Sequence, residues 1–131
     1  MDKISEFIKN DLFAKYLGVN YISYGEGKAK AELIINENHK NSFGTVHGGV
    51  IYGLADSVFA VASNSRESNA VAIDVSISYF KAVSNGKLVA VANEVSITKK
   101  LATYLIHIYD DQENLIALFK GTVYRISDNK K

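Results

Sequence analysis

The residues best suited to chemistry stand in one stretch: Asn41, then His47-Gly48-Gly49, then Asp56 inside the apolar segment Val50-Ile-Tyr-Gly-Leu-Ala-Asp-Ser-Val-Phe-Ala-Val-Ala-Ser63. A glycine pair ahead of an apolar helix exposes the helix's first N–H groups. These have no internal partner and carry the positive end of the helix dipole. Glycine there lets a carbonyl oxygen come close, which is the geometry of an oxyanion hole; the same pair also serves as a plain loop-to-helix turn. A carboxylate desolvated among apolar neighbours has its pKa raised, which suits a general base. The alternative for Asp56 is a solvated residue on an exposed helix edge. His47 alone is a weak signal, since a lone histidine is more often a structural hydrogen-bonder than a catalyst.

These groups need a helix to hold them. With about 100 degrees per residue, Gly53, Asp56 and Ala60 fall within about 40 degrees of Gly49, and Tyr52 and Ser63 flank that stripe. Ile51, Leu54, Val58 and Val61 point elsewhere, so the segment from about 48 to 63 is apolar almost all round and must be wrapped by other elements. The remainder of the chain supplies the wrapping. Ile4, Phe7, Ile8 and Leu12 predict one short amphipathic helix over residues 2–14, ended by Gly18. Val19–Tyr24 and Lys28–Ile35 flank the turn Gly25-Glu-Gly27, as two arms of a hairpin. Residues 36–46 read as a polar loop. Val71, Ile73, Val75, Ile77 and Tyr79 alternate strictly with Ala72, Asp74, Ser76, Ser78 and Phe80. Asn85-Gly86 marks a turn, and residues 87–98, 102–110 and 115–126 read as three more strands. Ser127–Lys131 reads as a frayed tail. The expectation is an α+β single domain over residues 1–131: about six antiparallel strands curled around one long helix.

Composition narrows the function classes. The formal net charge is +1 and the basic residues are scattered, with close pairs only at Lys99-Lys100 and Lys130-Lys131, so no nucleic-acid partner is expected. There is no cysteine, which excludes thiol nucleophiles and thiolate metal sites. His39, His47 and His107 lack a paired-ligand spacing, so no metal is expected. The longest apolar run is broken by Asp56 and is shorter than the ~20 residues a membrane span needs. With no secretory signal, the expected location is the cytoplasm. Gly25-Glu-Gly27 lacks the third glycine of a dinucleotide loop, and no G-x-S-x-G elbow occurs.

The pattern Asn41-x5-His47-Gly48-Gly49-x6-Asp56, with Leu54-Ala55 before the acid, resembles the hotdog-fold acyl-CoA thioesterases. The resemblance is to the PaaI-like (phenylacetyl-CoA thioesterase) group of the 4-hydroxybenzoyl-CoA thioesterase superfamily. It extends through Leu17-Gly18, Gly27, Asn64, Ser78-Tyr79-Phe80, Gly86 and Ile116-Ala117-x-Phe119-x-Gly121-Thr122. It implies a hotdog fold, a homodimer or homotetramer with sites at the subunit interface, and no cofactor beyond the coenzyme A carried by the substrate. Residue by residue, it implies Asp56 as the catalytic carboxylate and the Gly48 amide as the group that polarises the thioester carbonyl. Asn41 would position water or thioester, and His47 would support by hydrogen bonding. Relatives place a Ser or Thr of the partner strand near the acid; here that strand offers Ala72, Asp74 and Ser76. The family's proline after the aromatic pair is replaced here by Ala82-Val83.

The resemblance thus implies hydrolysis of an acyl-CoA thioester, with Asp56 acting as general base or as nucleophile. Around it, Gly49 would line the substrate path. Tyr52, Phe59, Tyr79 and Phe80 are candidates for an acyl pocket, and Lys99 and Lys100 for the coenzyme A phosphates, or simply a solvated strand end. A non-catalytic acyl-CoA sensor on the same fold is the alternative reading, and hotdog hydratase chemistry a third.

Overall fold

The computed structural model describes residues 2–126; the expected tail at residues 127–131 lies outside them. Two helices, α1 (Lys3–Lys9) and α2 (Leu12–Leu17), lead into β1 (Asn20–Gly25) and β2 (Lys28–Ile34). A 3-10 turn over Glu37–His39 follows, then α3 (Gly48–Ser63), β3 (Asn69–Tyr79), β4 (Lys87–Ile97), β5 (Leu101–Tyr109) and β6 (Leu115–Ile126). The strands form one antiparallel sheet in the order β1-β2-β4-β5-β6-β3, and α3 packs on its concave face. This is the hotdog fold.

The expected single N-terminal helix is two. Asn10 ends the first and Asp11 caps the second, its carboxylate accepting from the Ala14 N–H at 3.0 Å; a short acid side chain favours this role over helix continuation. Gly18 then closes α2 in the left-handed region at φ 92°, where a side chain would be strained. The chain turns so that the buried His39 ring lies 2.9 Å from the Leu17 carbonyl oxygen.

The core lies between α3 and the inner sheet face. Leu54, Ala55, Val58 and Ala62 meet Ala31, Leu33, Leu88, Ala90, Ile106, Ile108 and Phe119, all fully buried. Small residues on β2 and β4 let the helix settle close to the sheet, and burying each large apolar side chain stabilises by about 1.5–3 kcal/mol.

Two bulges decide which side chains face the helix. Register slips between Tyr21 and Ser23 in β1, and between Ala72 and Asp74 in β3. An extra residue on one strand flips the facing of everything beyond it. The strict alternation expected from Val71 to Tyr79 is therefore broken at Ile73. Val75, opposite Gly121, and Ile77, opposite Phe119, face the core, while Val71 pairs with the exposed Tyr124 on the other face. The short 80–86 segment is not a hairpin: β3 pairs with β6, and β4 lies across the sheet beside β2.

Candidate active site

The donor end is built by the loop before α3. Asn41 Oδ1 accepts from the Phe43 N–H at 2.9 Å and the Thr45 N–H at 3.2 Å, so that oxygen organises the loop and leaves the amide NH2 outward. His47 is the N-cap of α3. Its Nδ1 accepts from the Gly49 N–H at 2.8 Å, an uncommon cap that occupies one of the helix's orphan donors. The Gly48 N–H has no acceptor among the described residues, so it is the donor left for an incoming oxygen. The Gly48 carbonyl accepts from the Tyr79 hydroxyl at 3.0 Å, tying β3 to this turn. Gly49 was expected beside the substrate as a donor position; its amide is taken by His47, and what remains is clearance, since a Cβ there would lie 3.0 Å from His47 Nδ1.

Asp56 is half-buried two turns further on. It makes no hydrogen bond or ion pair among the described residues. Burial, with a smaller push from the Asp11 carboxylate, raises its pKa above the ordinary aspartate value. A bare, partly desolvated carboxylate is more basic than a solvated one and so a better proton acceptor. Tyr52 stands one turn back on the same side, its ring edge against Phe119 at 5.6 Å between centroids. Burial raises its phenol pKa, and Asp56 and Tyr79 add to that.

Other expected site residues are not gathered here. Phe59 is 1% exposed and packs on Tyr104 and Phe119, and a Cβ on Gly121 would lie 2.5 Å from its ring. It is a core residue, because the helix turns it toward the sheet. Asp74 is exposed opposite Thr122; alternation with the inward Val75 and Ile77 places it on the sheet face away from α3, so within one protomer it does not face Asp56. Phe80 is exposed beyond the end of β3. Lys99 and Lys100 are exposed on the β4–β5 turn, near the C-terminal end of α3, where Arg125 Nη1 donates to the Thr98 carbonyl at 2.8 Å. Asp56 lies about 10 Å back along the helix axis from that end, by the rise per residue of about 1.5 Å.

Four residues around Gly53 and Asp56 escaped the sequence reading as parts of the site. Phe13 and Leu17 of α2 lie on Gly53, where a Cβ would be 3.1 Å from the Phe13 ring and 2.7 Å from Leu17 Cδ1. The small-residue groove beside Asp56 is thus closed at that point by α2. Asp11 stands at the near end of α2, and Tyr21 lies below it on the inner face of β1, opposite Ala31. Their signal was weak: an N-cap acid looks like any turn residue, and Tyr21, alternating with the inward Val19, looks like any core aromatic.

The Gly48 amide and Asp56 stand eight residues apart on α3, about 12 Å along the axis and about 80 degrees around it. A donor on a carbonyl oxygen and a base acting on a water must both stand about 3 Å from their targets. One protomer's pair therefore spans more than a single carbonyl and its attacking water.

The description Thioesterase superfamily matches residues 43–117. The chain is 43% identical over 131 residues to a candidate esterase of Archaeoglobus fulgidus, covering 98% of this chain and 85% of the relative. It is 34% identical to the acyl-coenzyme A thioesterase PaaI of Escherichia coli, over 90% of this chain and 85% of that one. The solved structure of that E. coli PaaI protein superposes with a TM-score of 0.90, covering 94% and 90% of the two chains. A mutant of the phenylacetic acid degradation protein PaaI from Thermus thermophilus superposes at 0.85, with 38% identity over 88% of this chain and 100% of the other.

Proposed function

This chain belongs to the thioesterase superfamily as a PaaI-like hotdog thioesterase, and we propose that it hydrolyses the thioester of a small aromatic or short- to medium-chain acyl-CoA. The observation that carries this reading is Asp56: a half-buried, unpaired carboxylate with a raised pKa on the helix whose first turn carries the unoccupied Gly48 N–H. The carbonyl oxygen sits on that N–H, where the helix dipole steadies the charge that develops on oxygen. Asp56 takes a proton from water as it adds to the carbonyl carbon, or attacks that carbon itself to form an anhydride that water then opens. Either way the C–S bond breaks, coenzyme A leaves as a thiol carrying the proton, and the acid is released. The outward amide of Asn41 positions water or thioester, and His47 holds the glycine turn. Tyr52 borders the acyl group, and Lys99 and Lys100 attract the coenzyme A phosphates.

The site is shared between two copies. Supporting this is the ~12 Å axial gap between donor and base within one helix, which a second copy can close by setting its Gly48 against the first copy's Asp56. Supporting it too is β3, an edge strand of 11 residues exposing Val71, Ile73, Tyr79 and, just beyond, Phe80; an edge this long and apolar invites pairing with another chain. Asp74 stands on that edge, available to a partner.

Thiol release from a panel of acyl-CoAs, with Asp56→Asn as control, tests the activity. Turnover by the parent and none by Asp56→Asn is the expected result. Tight acyl-CoA binding without thiol release favours the sensor instead. Light scattering after size exclusion should give a dimer or tetramer at micromolar concentration; a monomer with full activity refutes the shared site.

A further inference from the structure

Tyr21 carries the one side-chain polar atom among the described residues that is buried without a hydrogen-bond partner: its hydroxyl. Such a group costs stability, and phenylalanine would remove the cost while keeping the ring. The ring is fixed on the inner face of β1 by pairing opposite Ala31 and by an edge-to-face contact with Tyr24, at 6.4 Å between centroids. Tyr21 faces inward with Val19 by alternation, and the bulge after it brings the exposed Tyr24 to the same side of the sheet. Above it, α2 is pinned to α3 by Phe13 and Leu17 on Gly53, three residues before Asp56 on the helix. Asp11, the N-cap of α2, adds a like charge that helps raise the Asp56 pKa. Burial raises the pKa of the Tyr21 hydroxyl, and the charges that add to this are Asp11 and Asp56 alone, as for a phenol lying near both carboxylates. Asp11 already accepts from the Ala14 N–H, whereas Asp56 accepts from nothing.

We propose that Tyr21 is a positioning residue for Asp56: its hydroxyl donates through one water molecule to the Asp56 carboxylate, orienting it toward the reacting carbonyl. This rests on Asp56 being the catalytic carboxylate. The remaining titratable neighbours are few. Tyr52 lies one turn back on α3 and Tyr79 of β3 reaches toward it. The faces of β2, β4, β5 and β6 against α3 are apolar except for the paired Tyr104 and Glu94, the Tyr104 hydroxyl donating to Glu94 at 2.9 Å. From α1 it is Ile4 and Ile8 that meet the core.

The test is Tyr21→Phe, measured for stability and turnover together. The expected result is an unchanged or higher melting temperature with kcat lowered about tenfold, the worth of a hydrogen bond to a charged group, and KM within about twofold. In an Asp56→Asn background the same change should cause no further loss in the residual rate. The acidic limb of the kcat/KM profile should move up in pH with Tyr21→Phe, which removes a donor to the charged form. It should move down with Asp11→Asn, which removes a like charge and keeps the helix cap. Parent-like kcat in Tyr21→Phe, a loss that tracks a fall in melting temperature, or an equal loss in the Asp56→Asn background overturns the proposal. Full turnover by Asp56→Asn itself overturns instead the catalytic role on which the proposal rests.

Discussion

Two carboxylates near α3 are treated in opposite ways. Glu94, on β4, accepts from Arg66 Nη2 at 2.7 Å, from Arg66 Nε at 3.2 Å and from the Tyr104 hydroxyl at 2.9 Å. The Arg66 hydrogen bond, with Tyr104 assisting, holds its pKa below the ordinary range. Asp56 has no such partner, is raised by burial, and has another acid as its nearest charged influence. The fold can satisfy a carboxylate where it needs one as a strut: Glu94 ties the residues after α3 to β4 and β5, and its side chain also fills the space above Gly27, where a Cβ would meet it. Leaving Asp56 bare costs stability and preserves basicity. That contrast separates a structural acid from a chemical one without reference to any relative.

Exchanging each acid for its amide should break the comparison along different axes. The largest effect is Asp56→Asn on turnover, a loss of about a thousandfold or more with the circular dichroism spectrum unchanged, as expected when a general base or nucleophile is removed. Glu94→Gln should instead lower stability by about 1–3 kcal/mol, read from urea unfolding, with turnover per folded molecule near that of the parent. If Glu94→Gln lost activity as steeply as Asp56→Asn, the division into strut and base would collapse.

Acidity should sharpen it further. The folded-state pKa of Glu94 is lowered, so its stabilising contribution is present above the unfolded carboxylate pKa and is lost as pH falls through the folded value. The folded-state pKa of Asp56 is raised, so its charged form destabilises the fold at neutral pH, and that penalty fades as pH falls through the raised value. Melting curves across pH should therefore show Asp56→Asn more stable than the parent at pH 7, with the advantage shrinking on acidification. The deficit of Glu94→Gln should also shrink, but at lower pH. An Asp56→Asn variant less stable than the parent at pH 7 contradicts the desolvation argument. The smallest effect concerns Lys99 and Lys100, exposed and screened by solvent. Reversing both charges should raise KM for an acyl-CoA about two- to fivefold and leave a short acyl thioester without the nucleotide unaffected. Equal changes for both substrates remove these lysines from the binding path.

The apolar run of α3 was legible in the sequence to the residue at both ends, Gly48–Ser63, because a helix buried on most sides announces itself in composition. So were the spacing of Asn41, Gly48 and Asp56 and the presence of six strands, each set by local period and turn chemistry. What the chain could not declare locally was anything resting on one extra residue or on a distant partner. The bulge at Ile73 turns Val71 away from the face that Val75 and Ile77 keep, and the bulge after Tyr21 brings Tyr24 to Tyr21's side of the sheet. A break at Asp11 makes two helices of one and sets a second acid near Asp56. Which glycine amide stays free depends on a ring nitrogen of His47 meeting Gly49. Periodicity records the average facing of a segment. The facing of a single side chain after a bulge, and the charge that ends beside it, are settled only when α2, β1 and α3 pack together.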